Sequence, residues 1–172
     1  MSAYHGMMQR RSFLQASLAL AAGCAAPGPA APRKRLLLRS SWQTVNIGDI
    51  AHTPGMLRLL EDQLPEFDVV LWPNALSSDV EALLRRRFPR LTIARTRMEQ
   101  EAALADCDAF LHGSGPGLVG AAAAKAWQAT KKPYGFGGVT LNDAELKNSR
   151  ELLAGASFVY TRDTLSLEAL RA

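Results

Sequence analysis

Short apolar runs alternate with segments of helical periodicity from Arg33 to the end of the chain. Runs at residues 35–40, 67–71, 91–94, 109–111, 133–138 and 157–160 have the length of buried strands, and a helical pattern follows each of them within a few residues. Parallel strands need such crossover helices between them. The sequence therefore predicts a Rossmann-like α/β domain over residues 33–172, with a mainly parallel sheet and helices on both faces.

The first 32 residues predict an export signal followed by a linker rich in alanine and proline. Arg10 and Arg11 precede a short apolar run, and no acidic residue occurs before position 25. The run is too short to cross a bilayer as a mature helix and is typical of a signal peptide. The arrangement resembles a bacterial twin-arginine signal, and a basic extension without a targeting role is the alternative.

Cys24 closes an Ala-Ala-Gly-Cys segment that is similar to a lipoprotein-processing box. Acylation of Cys24 would provide a lipid anchor, which is the one membrane association that the sequence predicts. Cleavage at an Ala-x-Ala-like site within residues 22–26 is the alternative. Either route predicts an exported protein, periplasmic or membrane-anchored, in a bacterial cell envelope. Cys107 adjoins an apolar run and is expected to be a small core residue.

Charge and histidine spacing argue against several classes of function. The formal net charge is +4, and Arg10 and Arg11 account for half of it. So small an excess predicts no nucleic-acid partner. His5, His52 and His112 lie far apart without metal-ligand spacing, so no metal is expected, and no other cofactor is predicted.

A glycine-rich stretch at residues 108–120, DAFLHGSGPGLVG, joins a predicted strand to a predicted helix. Residues 115–120 fit the G-x-G-x-x-G pattern of dinucleotide-binding sites. The stretch belongs to the fourth strand–helix unit, however, and no acidic residue clearly ends the next strand, which argues against NAD or FAD. No Lys-Ser/Thr pair follows, which argues against a P-loop. The open alternatives are one wall of a binding site or a tight turn that permits close helix packing.

Residues 46–49, Asn-Ile-Gly-Asp, follow the first predicted strand, and a helix is predicted to begin at Thr53-Pro54. Asn46 and Asp49 are candidates to hold substrate hydroxyls, and His52 is a candidate for proton transfer. The alternative is that these side chains only cap the helix.

Arg162, Asp163 and Ser166 follow the last predicted strand. Asp163 is a candidate N-cap with Ser166 in the first turn of the next helix. Arg162 is either a surface cation or a ligand for a carboxylate or phosphate. Because ligands bind outside the carboxyl ends of parallel strands, this loop, the glycine-rich loop and the loop of residues 46–52 are expected to line one site.

Together these three loops resemble the polysaccharide pyruvyl transferase family, through NIGD at 46–49, HGSGPG at 112–117 and FVYTRDTLS at 158–166. The resemblance implies one half of a GT-B-type glycosyltransferase fold. It implies transfer of a pyruvyl group, as a ketal, from phosphoenolpyruvate to a cell-surface saccharide. Asp49 and His52 would then be catalytic. The residues implied to bind substrate are Asn46, Gly48, His112, Gly113, Ser114, Gly115, Arg162, Asp163 and Ser166.

The resemblance also implies a second domain beyond the third loop, so this chain is expected to be the N-terminal half of a two-domain enzyme. Two other functions stay open. One is a non-catalytic, exported saccharide-binding domain, and the other is half of a sugar-nucleotide glycosyltransferase. Phosphoenolpyruvate is a cytosolic metabolite whereas the leader predicts export, so the substrate can differ from that of the family.

Overall fold

A seven-stranded sheet forms the centre of residues 32–171, the part of the chain that the computed structural model describes. Every strand pairing is parallel, which confirms the predicted fold class. The predictions for Arg10, Arg11 and Cys24 lie outside the described residues. The strands are β1 Lys34–Ser40, β2 Phe67–Pro73, β3 Thr92–Ile93, β4 Ala109–His112, β5 Gly115–Pro116, β6 Tyr134–Thr140 and β7 Phe158–Thr161.

The strand order places a topological switch point between β1 and β4. The path runs β3-β2-β1-β4-β6, and β6 also pairs with β5 and β7. Because β7 pairs along Gly135 to Val139, β4 and β5 share the opposite edge of β6. Taking β4 and β5 as one interrupted strand, this is the doubly wound order in which ligands bind outside the carboxyl ends of the strands.

Six helices within residues 32–171 cover both faces of the sheet. Alternate residues of β1 enter two separate cores: Leu36 and Leu38 pack with α1 and α2, and Leu37 packs with α3, α4 and α5. No helix among the described residues is long and apolar enough to span a membrane. The helices are α1 Ile47–Gln63, α2 Ser78–Arg87, α3 Arg97–Asp106, α4 Ala121–Gln128, α5 Asp143–Ala154 and α6 Thr164–Arg171.

Helix α1 begins seven residues before the predicted first helical position, Pro54. Asn46 is its N-cap, and the Asn46 side chain accepts a hydrogen bond from the Gly48 N–H at 2.9 Å. Pro54 lies inside the helix instead of at its first position. The prediction was wrong because a proline that opens a helix and a proline within one carry the same local signal. The 46–49 segment is therefore the first turn of a helix and not a free loop.

The Thr53 hydroxyl joins α1 to the carboxyl end of β1. Thr53 is 1% exposed, and its Oγ1 accepts a hydrogen bond from the Ser41 N–H at 2.9 Å. The same oxygen lies 2.9 Å from the Ser40 Oγ, with which it shares a second hydrogen bond. The position of the first helical turn, and hence of Asp49 and His52, depends on this buried contact.

Replacing Thr53 with valine is expected to lower the free energy of unfolding by about 1–3 kcal/mol, because it leaves the Ser41 N–H buried without a partner. The two side chains have similar shapes, so the loss of packing is small. Urea denaturation measures the change. Thr92→Val, at an exposed position of β3, is the matched control and should leave stability within about 0.5 kcal/mol. Equal effects of the two substitutions would contradict this role of Thr53.

Candidate functional site

His112 lies at the carboxyl end of β4 with no exposed surface. Its Nδ1 is 2.8 Å from the Gly113 carbonyl oxygen, and its Nε2 accepts a hydrogen bond from the Gly120 N–H at 3.0 Å. Since a carbonyl oxygen only accepts, Nδ1 carries the proton and the ring is neutral. Both ring nitrogens are thus bonded to the backbone that leads into α4, and His112 holds the glycine-rich loop in place.

Burial, with a smaller contribution from the nearby Arg39 charge, lowers the pKa of His112 from its ordinary value of 6.5 to about 4. The folded state therefore disfavours the charged ring, whereas the unfolded chain takes up the proton near pH 6.5. Stability from this group is fully present above pH 6.5 and decreases as the pH falls from 6.5 towards 4. The complete effect corresponds to roughly 3 kcal/mol.

Urea denaturation at several pH values is expected to show this loss beginning below pH 6.5, before most carboxylates titrate. The His112 ring resonances of the native protein should meanwhile stay those of a neutral imidazole down to about pH 5. Thr92→Val, at an exposed position of β3, should leave the pH dependence unchanged. A flat stability profile between pH 7 and pH 5 would contradict the assignment.

Trp42 connects the segment after β1 to the glycine-rich loop. Its indole Nε1–H donates a hydrogen bond to the Ser114 carbonyl oxygen at 2.6 Å. Its ring lies against the His112 ring, with centroids 4.8 Å apart. The Gly113 N–H donates to the Arg39 carbonyl oxygen, so backbone contacts reinforce the link. The segment that follows β1 and the glycine-rich loop are therefore packed together at the switch point.

Close packing explains why glycine occupies two positions of the 115–120 pattern, 117 and 120. Gly117 has a φ of +70°, and a side chain there would collide with the Glu145 carboxylate, which accepts a hydrogen bond from the Leu118 N–H. At Gly120, a Cβ atom would lie 2.7 Å from the Arg39 Cγ and 2.9 Å from the His112 Cδ2. Close packing around α4 accounts for both positions.

Asp49 and His52 face each other across one turn of α1. The Asp49 Oδ1 and the His52 Nδ1 are 4.0 Å apart, and their side chains are 15% and 25% exposed. Gln43 donates a hydrogen bond to the other carboxylate oxygen, Oδ2, and orients the Asp49 side chain. The buried His52 Nδ1 has no hydrogen-bond partner. A carboxylate beside a partly exposed imidazole is an arrangement that can transfer a proton, and such contacts often shorten when substrate binds.

The third loop shows the predicted cap. The Asp163 carboxylate accepts hydrogen bonds from the Ser166 N–H at 2.7 Å and the Ser166 hydroxyl at 2.9 Å. These bonds hold the pKa of Asp163 below its usual value. The buried Ser166 Oγ also accepts a hydrogen bond from the Leu141 N–H. Asp163 and Ser166 therefore organise the start of α6, whereas Arg162 is exposed and forms no ion pair within the described part of the chain.

Gly138 of β6 lies where the second and third loops meet. A Cβ atom on it would lie 3.2 Å from the Ser114 Oγ and 3.7 Å from the Arg162 Cγ. The neighbouring Gly137 similarly approaches Met56 of α1. The structure thus brings all three predicted loops to one edge of the sheet. An apolar groove of about 400 Å³ adjoins them, with α1 on one side and the exposed rings of Phe158 and Tyr160 on the other.

The predicted site residues divide into two groups by their contacts. Asn46, Gly48, Asp163 and Ser166 form helix caps, and His112 and Gly113 bond to neighbouring backbone. Gly115, the first residue of β5, packs against the Trp42 side chain. Asp49, His52, Ser114 and Arg162 retain side-chain atoms that can meet a ligand.

Sequence reasoning missed Arg39, Trp42 and Gln43. Arg39 had one usable signal, because it is a cation near the end of the otherwise apolar run of residues 35–40. Trp42 and Gln43 carry no such signal in the sequence, since the residues that they contact lie six or more positions away along the chain.

The model of the polysaccharide pyruvyl transferase family matches residues 46–172. The chain belongs to this family. The match begins at Asn46, the cap of α1, and includes all three loops of the site. The predicted family is therefore confirmed, and the matched part of the chain contains Asp49, His52 and Arg162.

Among solved structures, the chain is similar to the glycosyltransferase SnogD from Streptomyces nogalater, with 19% sequence identity and a TM-score of 0.46. The similarity covers 89% of this chain and 39% of the SnogD chain. The comparison with curated proteins gave no match. No cluster of three or more potential metal ligands occurs within residues 32–171.

Proposed function

We propose that this domain takes part in the transfer of a pyruvyl group from phosphoenolpyruvate to two hydroxyls of a cell-surface saccharide. One observation carries the proposal: the Asp49–His52 pair lies at the carboxyl edge of the sheet, inside the segment that matches the family. Ligands of doubly wound sheets bind at this edge. Ser114 and Arg162, on the neighbouring loops, offer a hydroxyl and a cation on the same side.

The reaction needs a group that removes a proton from an attacking hydroxyl. The first hydroxyl adds to C2 of the enolpyruvyl group while C3 takes a proton from solvent water and becomes a methyl carbon, and the proton removed from the hydroxyl is later returned to solvent. Phosphate then leaves C2, the second hydroxyl bonds to C2 to close the ketal, and its proton leaves with the phosphate. His52 is placed to accept the hydroxyl proton, and Asp49 to stabilise the resulting imidazolium. The partly buried environment of the pair strengthens that stabilisation.

A non-catalytic saccharide-binding domain is the second candidate. It is favoured by the number of predicted site residues that already form caps and backbone contacts, such as Asn46 and Asp163. In such a domain Asp49 and His52 would bind sugar hydroxyls without transferring a proton. The two candidates differ in whether phosphate is released.

Incubation of the full chain with phosphoenolpyruvate and hexopyranosides that carry free hydroxyl pairs tests the proposal. Phosphate release that depends on the saccharide, with a pyruvyl ketal detected by mass spectrometry, is the expected result. Saccharide binding measured by calorimetry without phosphate release would favour the second candidate. Neither binding nor phosphate release would reject both. Heat-denatured protein is the control for spontaneous hydrolysis of phosphoenolpyruvate.

A further inference from the structure

Arg39, at the carboxyl end of β1, is a buried cation with no counter-ion among the described residues. It is 9% exposed, and no carboxylate oxygen lies within 4.0 Å of its guanidinium. Its Nη1 donates to the Trp72 carbonyl oxygen at 3.1 Å, and its Nη2 to the Asn74 Oδ1 at 2.9 Å. Its buried Nε has no hydrogen-bond partner within residues 32–171.

A buried guanidinium without a counter-ion destabilises the folded protein unless another group compensates its charge. Burial lowers the pKa of Arg39 to about 10, which still leaves the group charged at neutral pH. The rings of Trp42 and Trp72 lie 5.2 and 5.5 Å from the guanidinium carbon and stabilise the cation in part. They supply neither a negative charge nor an acceptor for Nε. A buried charge of this kind normally has an ionic partner.

The position of Arg39 suits an external partner. In the sheet register it lies between Trp72 of β2 and His112 of β4, beside the switch point where ligands of this fold bind. Its Nη2 lies close to the surface, because the Asn74 side chain that accepts its hydrogen bond is exposed. The Arg39 stem packs under Gly120, which caps the N-terminus of α4. The partial positive charge of that helix end also favours an anion.

We propose that Arg39 anchors an oxyanion-binding site at the carboxyl ends of β1 and β2, which accepts a carboxylate or a phosphate group. The planar guanidinium presents paired N–H donors that match either group, and the flanking indoles exclude water from it. The oxyanion would supply the negative charge that the protein itself lacks at this point. Assigning the bound group to phosphoenolpyruvate rests on the proposed function, whereas anion binding itself does not.

Calorimetric titration of the full chain with inorganic phosphate, and separately with pyruvate, tests the site. We expect saturable binding of at least one anion and a rise in melting temperature beyond that caused by sodium chloride at equal ionic strength. Binding of phosphate alone would assign the site to a phosphoryl group, and binding of pyruvate alone to a carboxylate. Binding of neither would overturn the proposal.

Arg39→Met keeps the aliphatic stem and removes the charge. It should weaken anion binding about tenfold or more, the loss expected for a charge-assisted hydrogen bond. Arg39→Lys should bind the anion with intermediate affinity, because lysine retains the positive charge but lacks the paired N–H donors of the guanidinium. Arg86→Met is the matched control, since Arg86 is exposed and forms no ion pair within residues 32–171. Wild-type affinity in Arg39→Met would overturn the proposal.

A measurement on the wild-type protein covers the case in which Arg39→Met does not fold. Burial protects the Arg39 Nε–H from exchange, so its proton–nitrogen resonance should be visible and should shift on titration with the anion that binds. An unshifted resonance at saturation would overturn the site. Anion binding without saccharide-dependent phosphate release would retain the site and reject the proposed reaction, so the two failures are distinguishable.

Discussion

Replacing His112 with alanine is expected to lower the free energy of unfolding by about 3–5 kcal/mol. The ring is fully buried and packs against Trp42 and Phe136, with centroids 4.8 and 5.5 Å away. Alanine would leave a cavity and also deprive the buried Gly120 N–H of its acceptor. The two losses act on the same turn before α4. Urea denaturation followed by circular dichroism measures the change.

His52→Ala is the natural control for this experiment. The same atoms are removed from a partly exposed side chain that has no hydrogen bond at its buried nitrogen. We expect it to change stability by less than about 1 kcal/mol. If the two alanine variants unfolded at the same urea concentration, the structural role of His112 would be refuted.

Asp49→Asn is expected to reduce the proposed pyruvyl transfer by about 10²- to 10⁴-fold while the protein stays folded. The amide keeps the size of the carboxylate but cannot stabilise a charged His52 ring. Gln43 would in addition face an amide in place of one carboxylate oxygen. Saccharide-dependent phosphate release measures the rate, and circular dichroism verifies the fold.

Asp79→Asn provides a matched control, because Asp79 is likewise an acidic residue in the first turn of a helix. Both substitutions remove a favourable charge at a helix N-terminus, which costs about 0.3–1 kcal/mol of stability. Only Asp49→Asn should alter the rate. Undiminished phosphate release by Asp49→Asn would exclude Asp49 from the reaction. A parallel loss of rate in both variants would attribute the effect to stability.

Hydrophobic patterning was sufficient to predict the elements of the fold. Residues 35–40 and 67–71 became β1 and β2, because a strand buried on both faces shows as a continuous apolar run. The cap at Asp163 and the burial of Cys107 were also predictable from local chemistry. Two errors were local ambiguities. The start of α1 was misplaced by the Thr53-Pro54 signal, and the two-residue strand β5 is too short to produce a pattern.

Some roles of the site residues were likewise predictable from local sequence, and others were not. Local sequence marked Asp49, His52 and the glycine-rich loop as chemically unusual, and their order along the chain was enough to predict the family. It did not indicate that both nitrogens of His112 are bonded to backbone, or that Arg39 is buried without a counter-ion. The burial of Arg39 depends on partners that lie far away in the chain, such as Trp72. The two hydrogen bonds of His112 depend on how the glycine-rich loop folds back over the ring.

The sequence by itself thus determined the parallel α/β architecture and the family, because periodicity and short motifs act over a few residues. Only the tertiary structure decided which polar side chains are free to meet a ligand. Hydrogen bonding and burial are set by which strands become neighbours, and β1 pairs with β4 only after three crossover helices and two other strands have intervened in the chain. In the folded chain Asn46 and His112 are occupied by backbone contacts, whereas Asp49, His52 and Arg39 remain available for chemistry.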